Sequence, residues 1–146
     1  MMRRRVFCGV GVAIAVGVAG CGGDDGPSDA EFIKQANAVC HGHYVTITAA
    51  ASKLLAGGKL PTPAQFGKLA QGTIIPEYSA QITELREVEP SESKKDAYDK
   101  WLSDSEALRE KVKANPALVQ QAPMLASING QSDKLGLSTE CHLGAS

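Results

Sequence analysis

The chain has 146 residues, and its 15 lysines and arginines nearly balance its 16 aspartates and glutamates. Three consecutive arginines stand near the start, so the part from residue 21 onwards has 12 basic against 16 acidic side chains, a net charge of −4. Because no basic patch remains, we expect neither nucleic-acid binding nor a polybasic contact with a membrane surface. The remaining length suits one domain with one core, which the 5% aromatic content makes mainly aliphatic.

Residues 1–20 have the pattern of a secretory signal peptide. A basic start, Met1–Arg5, precedes an apolar run from Val6 to Ala19 that is shorter than the roughly 20 residues of a membrane-spanning helix. The run ends in Val18-Ala19-Gly20-Cys21, which resembles the lipobox of bacterial lipoproteins. The resemblance implies a thioether-linked diacylglycerol on Cys21, cleavage before it and acylation of the new amino terminus. The alternative is an ordinary secreted chain.

The predicted lipid defines three segments of the chain. Residues 1–20 are the signal peptide, residues 21–27 a lipidated flexible tether rich in Gly and Asp, and residues 28–146 a helical domain. Each buried methylene contributes about 0.8 kcal/mol, so two or three acyl chains give durable attachment. We therefore expect an extracytoplasmic protein that is anchored to the membrane by the lipid on Cys21.

The four cysteines predict one disulfide. Cys8 leaves with the signal peptide and Cys21 carries the lipid, which leaves Cys40 and Cys141 as two thiols in an oxidising compartment. Closing a loop of roughly 100 residues stabilises a fold by up to about 4 to 5 kcal/mol in the chain-entropy model. The bond would tie the first helix to the tail.

Two capping boxes predict the first two helices. Ser28 and Glu31 begin a helix over about Asp29–Leu55, which Ala56-Gly57-Gly58 ends. Thr62 and Gln65, with Pro63 at the first helical position, begin a second helix that extends to Glu89-Pro90. Because a proline removes one backbone hydrogen bond, Pro76 predicts a kink at Gly72, four residues earlier.

Two further helices are predicted in the remainder of the chain. The third covers Ser91–Lys113, and the fourth begins at Asn115-Pro116, bends at Pro123 and ends at Leu135. Gly136 is expected to cap it, with Leu137 packing back after a Schellman turn. The fold class is therefore all-α, an antiparallel four-helix bundle held by one disulfide.

The two cysteine segments also carry a resemblance. Together with the lipobox, Glu31–Cys40 and Leu135–Cys141 resemble a group of small helical lipoproteins of actinobacteria. The resemblance implies an extracytoplasmic, disulfide-bonded helical domain on the cell envelope, and it implies no activity. The chain departs from the group's pattern at His41 and His43, where ordinary helix formers are expected.

The histidines allow two interpretations. All three in the chain, His41, His43 and His142, lie within three positions of Cys40 or Cys141. They are either solvated or capping residues beside a structural disulfide, or ligands of a metal or haem site to which Tyr44 adds a phenolate. Reduced cysteines would allow a zinc shell with the histidines, but export disfavours it. Because residues two apart on a helix point about 200° apart, His41 and His43 do not easily share one ion.

No enzyme is predicted. The sequence has no Gly-x-Ser-x-Gly elbow, phosphate-binding loop or His-Glu-x-x-His motif, so we assign no catalytic residue and no cofactor. Its carboxylates fit an exposed helical face: Glu84, Glu87, Glu89, Glu92, Asp96, Asp99 and Asp104. The expected function is a non-catalytic interaction or scaffold module that binds an unidentified envelope protein. The alternative is a metal- or haem-binding lipoprotein that uses His43, Tyr44 and His142.

Overall fold

The computed structural model describes residues 26–58, 60–120 and 122–143. The predicted signal peptide, Cys21 and most of the tether lie outside the described residues. The described ranges contain five α-helices: α1 (Asp29–Leu55), α2 (Pro63–Leu69), α3 (Ile75–Leu85), α4 (Lys95–Ala114) and α5 (Ala122–Leu135). A π turn (Ala70–Ile74) joins α2 to α3, and 3-10 turns cover Glu92–Lys94, Pro116–Gln120 and Thr139–Cys141. The described ranges contain no strand, which confirms the all-α class.

Helix α1 has the predicted bounds because its capping box forms. The Ser28 hydroxyl oxygen accepts the Glu31 backbone N–H at 3.3 Å, and the Glu31 carboxylate accepts the Ser28 backbone N–H at 2.9 Å. These two bonds satisfy donors that the first turn of a helix leaves without partners. The buried residues of α1 are Phe32, Ala36, Cys40 and His43, and all of them lie in its first 15 positions.

A π turn lies where a kink was predicted in the second helical segment. Thr62 and Gln65 form the expected capping box, and Pro63 is the first helical residue. Before Pro76, the Ile75 N–H donates to the carbonyl of Ala70, five residues back, so the chain widens by one residue and continues as α3. The predicted end at Glu89-Pro90 is wrong. α3 ends at Leu85, because tight turns then carry Val88 into the core.

The predicted start of the third helix is also wrong. A 3-10 turn, Glu92–Lys94, precedes α4, which begins at Lys95. The Ser91 side chain does not cap this turn, because its hydroxyl donates to Asp29 of α1 at 2.5 Å. At the other end, Asn115 is extended, as a residue before proline usually is.

The fourth predicted helix begins later than expected and is not bent at Pro123. Residues Pro116–Gln120 form a separate 3-10 turn, and α5 starts at Ala122. Pro123 therefore lies in the first turn of α5, where its missing N–H removes no intrahelical bond. The predicted C-terminus is correct. Gly136 has φ +83°, and the Leu137 N–H donates to the Ser132 carbonyl as a Schellman motif requires.

Aromatic side chains link α1 to α4 within a core that is otherwise mainly aliphatic. Phe32 meets Tyr98 edge to face, with ring centroids 4.8 Å apart, and Tyr98 lies 5.8 Å from Trp101. The Tyr98 hydroxyl donates to the Leu85 carbonyl at 2.6 Å, so this buried phenol is satisfied. None of the helices that the structure describes is long and apolar enough to cross a membrane.

Candidate functional site

The disulfide predicted from the cysteine count is present and lies inside the core. Cys40 of α1 and Cys141 of the last 3-10 turn are bonded, with their Cα atoms 4.9 Å apart. Cys40 is fully buried, and Gln81 of α3, only 4% exposed, donates from Nε2 to its sulfur at 3.4 Å. The bond therefore joins α1 to the tail where α3 covers it.

Two asparagines hold the tail, residues 137–143, on either side of the disulfide. Asn37 of α1 accepts the backbone N–H of Ser138 through Oδ1 at 2.8 Å. Asn129 of α5 makes two bonds to Leu143: its Oδ1 accepts the backbone N–H at 3.0 Å, and its Nδ2 donates to the carbonyl at 3.2 Å. These amides provide hydrogen-bond partners for backbone groups of an irregular and partly buried segment.

His43 is a partly buried residue that links α1 to α3. It is 8% exposed, its Nδ1 lies 2.7 Å from the Glu77 carboxylate, and its Nε2 lies 3.4 Å from that of Glu84. Glu77 and Glu84 are two turns apart on α3, so they contact the ring from both ends. The expectation of a solvated or capping residue is wrong for His43, because its ring packs between helices.

The other two histidines contact different carboxylates. His41 Nδ1 lies 3.0 Å from Glu140 in the last 3-10 turn, in an exposed pair. His142 Nε2 lies 2.8 Å from Asp133 of α5. The first pair connects α1 to the tail, as the disulfide does, and the second connects the tail to α5. The three histidines share no carboxylate.

The two histidines of the metal or haem alternative, His43 and His142, contact carboxylates of the same domain. Within the ranges described, no group of three or more His, Cys, Asp or Glu side chains is arranged to hold a metal ion. Tyr44, the predicted phenolate donor, is exposed on α1. Burial raises the pKa of Tyr78 and of Tyr98, so these two core phenols stay protonated.

The acidic residues predicted to form a solvated helical face are mostly exposed. Asp104 is half-buried, where it accepts hydrogen bonds from Lys100 at 2.7 Å and Gln131 at 2.9 Å. Glu84 is exposed except for its contact with His43. Asp99 is exposed and pairs with Lys95 at 2.8 Å, so these carboxylates belong mainly to a solvated surface.

Six residues of the site were not singled out in the sequence: the amides Gln81, Asn37 and Asn129, and the carboxylates Glu77, Asp133 and Glu140. Gln81 had a usable signal, because it lies between Tyr78, Ile82 and Leu85 on the apolar stripe of its helix. A polar residue on such a stripe is expected to have a buried partner. Nothing in the sequence identifies that partner as a sulfur atom 41 positions away.

The chemistry around the disulfide is structural. Its amides and histidine–carboxylate pairs connect α1, α3, α5 and the tail, and their hydrogen-bonding groups are directed at one another. Comparison with known proteins gave no match among protein-family models, curated proteins or solved structures.

Proposed function

We propose that the protein is a lipid-anchored, extracytoplasmic envelope lipoprotein that acts as a non-catalytic interaction or scaffold module. The observation that supports this best is the buried Cys40–Cys141 disulfide, which follows a signal-like segment ending in Val18-Ala19-Gly20-Cys21. Structural disulfides persist in oxidising compartments outside the cytoplasm. Pairing of two cysteines leaves Cys21 as the candidate for lipidation.

The tether keeps the domain close to the membrane in this proposal. Ser28, the N-cap of α1, is seven positions after Cys21, so a fully extended tether reaches no more than about 25 Å. The start of α1 is fixed to the turn before α4, because Ser91 and Ser93 both donate to Asp29. This end of the domain is then the one nearest the anchor.

The hydrogen bonding of the buried polar groups supports a module that binds a partner through its surface. The amides and histidines that converge in the structure bond to other parts of the same domain, and they hold the tail and α3 to α1. The short connections between helices support an antiparallel bundle. As part of the proposal, the chain is a member of the group of actinobacterial lipoproteins that its cysteine segments resemble. Its binding partner is a protein of the cell envelope.

The test is the fate of Cys21 in a lipoprotein-processing bacterium. The tagged full chain should enter the membrane fraction, and mass spectrometry of its N-terminal peptide should show a diacylglycerol on Cys21. Cys21→Ser should abolish both the lipid and the membrane fractionation. Cys8→Ser is the matched control, because it removes a cysteine that the proposal places in the cleaved signal.

Two results would contradict the proposal. One is a chain of which Cys21 is unmodified while the protein still fractionates with membranes. The other is a free thiol at Cys40 or Cys141 in the protein isolated from the envelope, because an oxidised pair is what supports export.

A further inference from the structure

The net charge of the chain conceals a separation of charge along it. Between Glu31 and Glu77 the sequence has four lysines and no acidic residue. From Glu77 to the end it has twelve acidic against eight basic residues. The net charge of the whole chain therefore argues against a basic surface, whereas the charges counted between Glu31 and Glu77 allow one.

Most of this acid-free stretch forms an arm, defined here as residues 44–58 of α1 and its turn together with residues 60–69. No residue of α1 after His43 is fully buried, and α2 has no buried residue. The less exposed side chains of the arm are only half-buried: Ile47, Leu54, Phe66 and Leu69. Phe66 packs against the main core, and the arm otherwise contributes no residue to it.

The tip of the arm combines apolar and cationic side chains. The large hydrophobic residues that are exposed in the described ranges all belong to the arm: Tyr44, Val45, Leu55 and Leu60. Leu60 is 92% exposed and Leu55 is 53% exposed, at the turn between α1 and α2. Lys53 is exposed in the last turn of α1, next to this turn, and Lys68 is exposed in the last turn of the seven-residue helix α2. Apolar residues flanked by lysines are typical of a surface that enters a lipid headgroup region.

The anchor and the tip lie at opposite ends of one helix. The 27 residues of α1 span about 40 Å, and the tether begins at its N-terminus. If α1 lies along the membrane, the lipid on Cys21 and the tip reach the bilayer together. An anchored domain needs only a weak second contact, because attachment raises the effective concentration at the surface to the millimolar range.

We propose that the tip of the arm is a second membrane-contact site, with Leu55 and Leu60 at the boundary between headgroups and acyl chains and Lys53 and Lys68 against lipid phosphates. The proposal rests on the lipid anchor proposed above. An anionic bilayer is the occupant that fits, because the tip carries cations without acids while the acidic part of the domain is repelled from the same surface. Few lysines are involved, so this is not the polybasic contact that the composition excludes.

A tryptophan at position 60 reports this contact directly. The lipidated full chain with Leu60→Trp is reconstituted into vesicles of brominated phosphatidylglycerol, whose bromines quench nearby indoles. Because Leu60 is 92% exposed, the substitution leaves the core intact, and the native Trp101 is buried. We expect the emission from position 60 to fall at least about twofold, as for a residue at the headgroup boundary. Ala97→Trp, on the exposed surface of α4, is the matched control and should keep its emission.

The lysines are tested in the same vesicles. Lys53→Glu with Lys68→Glu, made in the Leu60→Trp chain, should restore most of the lost emission, and brominated phosphatidylcholine should quench less than phosphatidylglycerol. Equal quenching in both lipids and in the charge-reversed variant would overturn the role of the lysines.

Flotation of the vesicles separates the two proposals. A chain that floats with the lipid while position 60 is not quenched would overturn the membrane contact of the tip and leave the anchor standing. A chain that does not float would overturn the anchor and with it the second site. Protection of position 60 from iodide in native membranes, without quenching in the lipid vesicles, would identify a protein partner and overturn the lipid assignment.

Discussion

Helix α1 passes through two regions that differ in almost every physical respect. Its first half buries Phe32, Ala36 and Cys40 completely and is bonded to the tail by the disulfide. Its second half, after His43, belongs to the arm and has only half-buried or exposed side chains. The first half of this single helix is therefore part of the core, and its second half is part of the solvent-exposed surface. Continuous helical structure does not imply a continuous core.

Removal of the disulfide should give the largest difference between the two regions. Cys40→Ser with Cys141→Ser should lower the free energy of unfolding by up to about 4 to 5 kcal/mol, because the open chain regains the entropy of a loop of roughly 100 residues. Urea unfolding followed by circular dichroism measures this loss. Leu55→Ser with Leu60→Ser, in the arm, should change the same free energy by less than about 0.5 kcal/mol. A comparable loss in the two variants would show that the arm belongs to the core.

The same contrast is expected for single leucines. Leu102→Ala should destabilise the domain by about 2 to 5 kcal/mol, because Leu102 is buried in α4 and its truncation leaves a cavity. Leu60→Ala removes the same atoms from an exposed position and should have an effect within about 0.5 kcal/mol. Thermal unfolding of the two variants side by side makes the comparison. A large loss for Leu60→Ala would mean that the loop residue packs against the protein.

Two glycines with positive φ provide a finer comparison. Gly136, at the end of α5, has φ +83°, and an added Cβ would lie 3.3 Å from the Ile33 side chain. Gly58, in the arm, has φ +67° but open space around it. Both alanine variants bear the left-handed backbone cost of about 1 to 2 kcal/mol, and Gly136→Ala should exceed Gly58→Ala because Ile33 must also move. Chemical denaturation measures the free energy of unfolding of both variants. A larger loss of stability for Gly58→Ala than for Gly136→Ala would contradict this prediction.

The smallest expected effect concerns the pH dependence of the core end of α1. Hydrogen bonds from Ser91 and Ser93 lower the pKa of Asp29 below its ordinary value. A carboxyl with a depressed folded-state pKa adds stability above its unfolded pKa, and this contribution is lost as the pH falls through the folded value. The stability of the native chain should therefore decline below about pH 4 more steeply than that of Asp29→Asn.

Carboxyl NMR titration provides the control for this prediction. In Ser91→Ala with Ser93→Ala, the pKa of Asp29 should return towards its ordinary value, because both donors are gone. An unchanged midpoint would show that these hydroxyls do not bond to Asp29 in solution.

The starts of α1 and α2 and the end of α5 could be predicted from the sequence alone. Each depends on bonds between residues three to five positions apart, as in Ser28 with Glu31, Thr62 with Gln65 and Leu137 with Ser132. The pairing of Cys40 with Cys141 was also predictable, since the predicted signal peptide and the lipobox-like segment left two cysteines. Such features need no knowledge of the rest of the fold.

The tertiary structure decided the remaining boundaries and the surroundings of the disulfide. Ser91 bonds to Asp29, 62 positions away, and so leaves α4 to begin at Lys95. His43 lies three positions after Cys40, on the buried stripe of α1, whereas His41 does not. Nothing local identifies its partner Glu77, which is 34 positions away. The exposure of the arm likewise depends on which helices pack over α1. Local bonds determine where a helix is stable, whereas burial depends on neighbours that only the folded chain brings together.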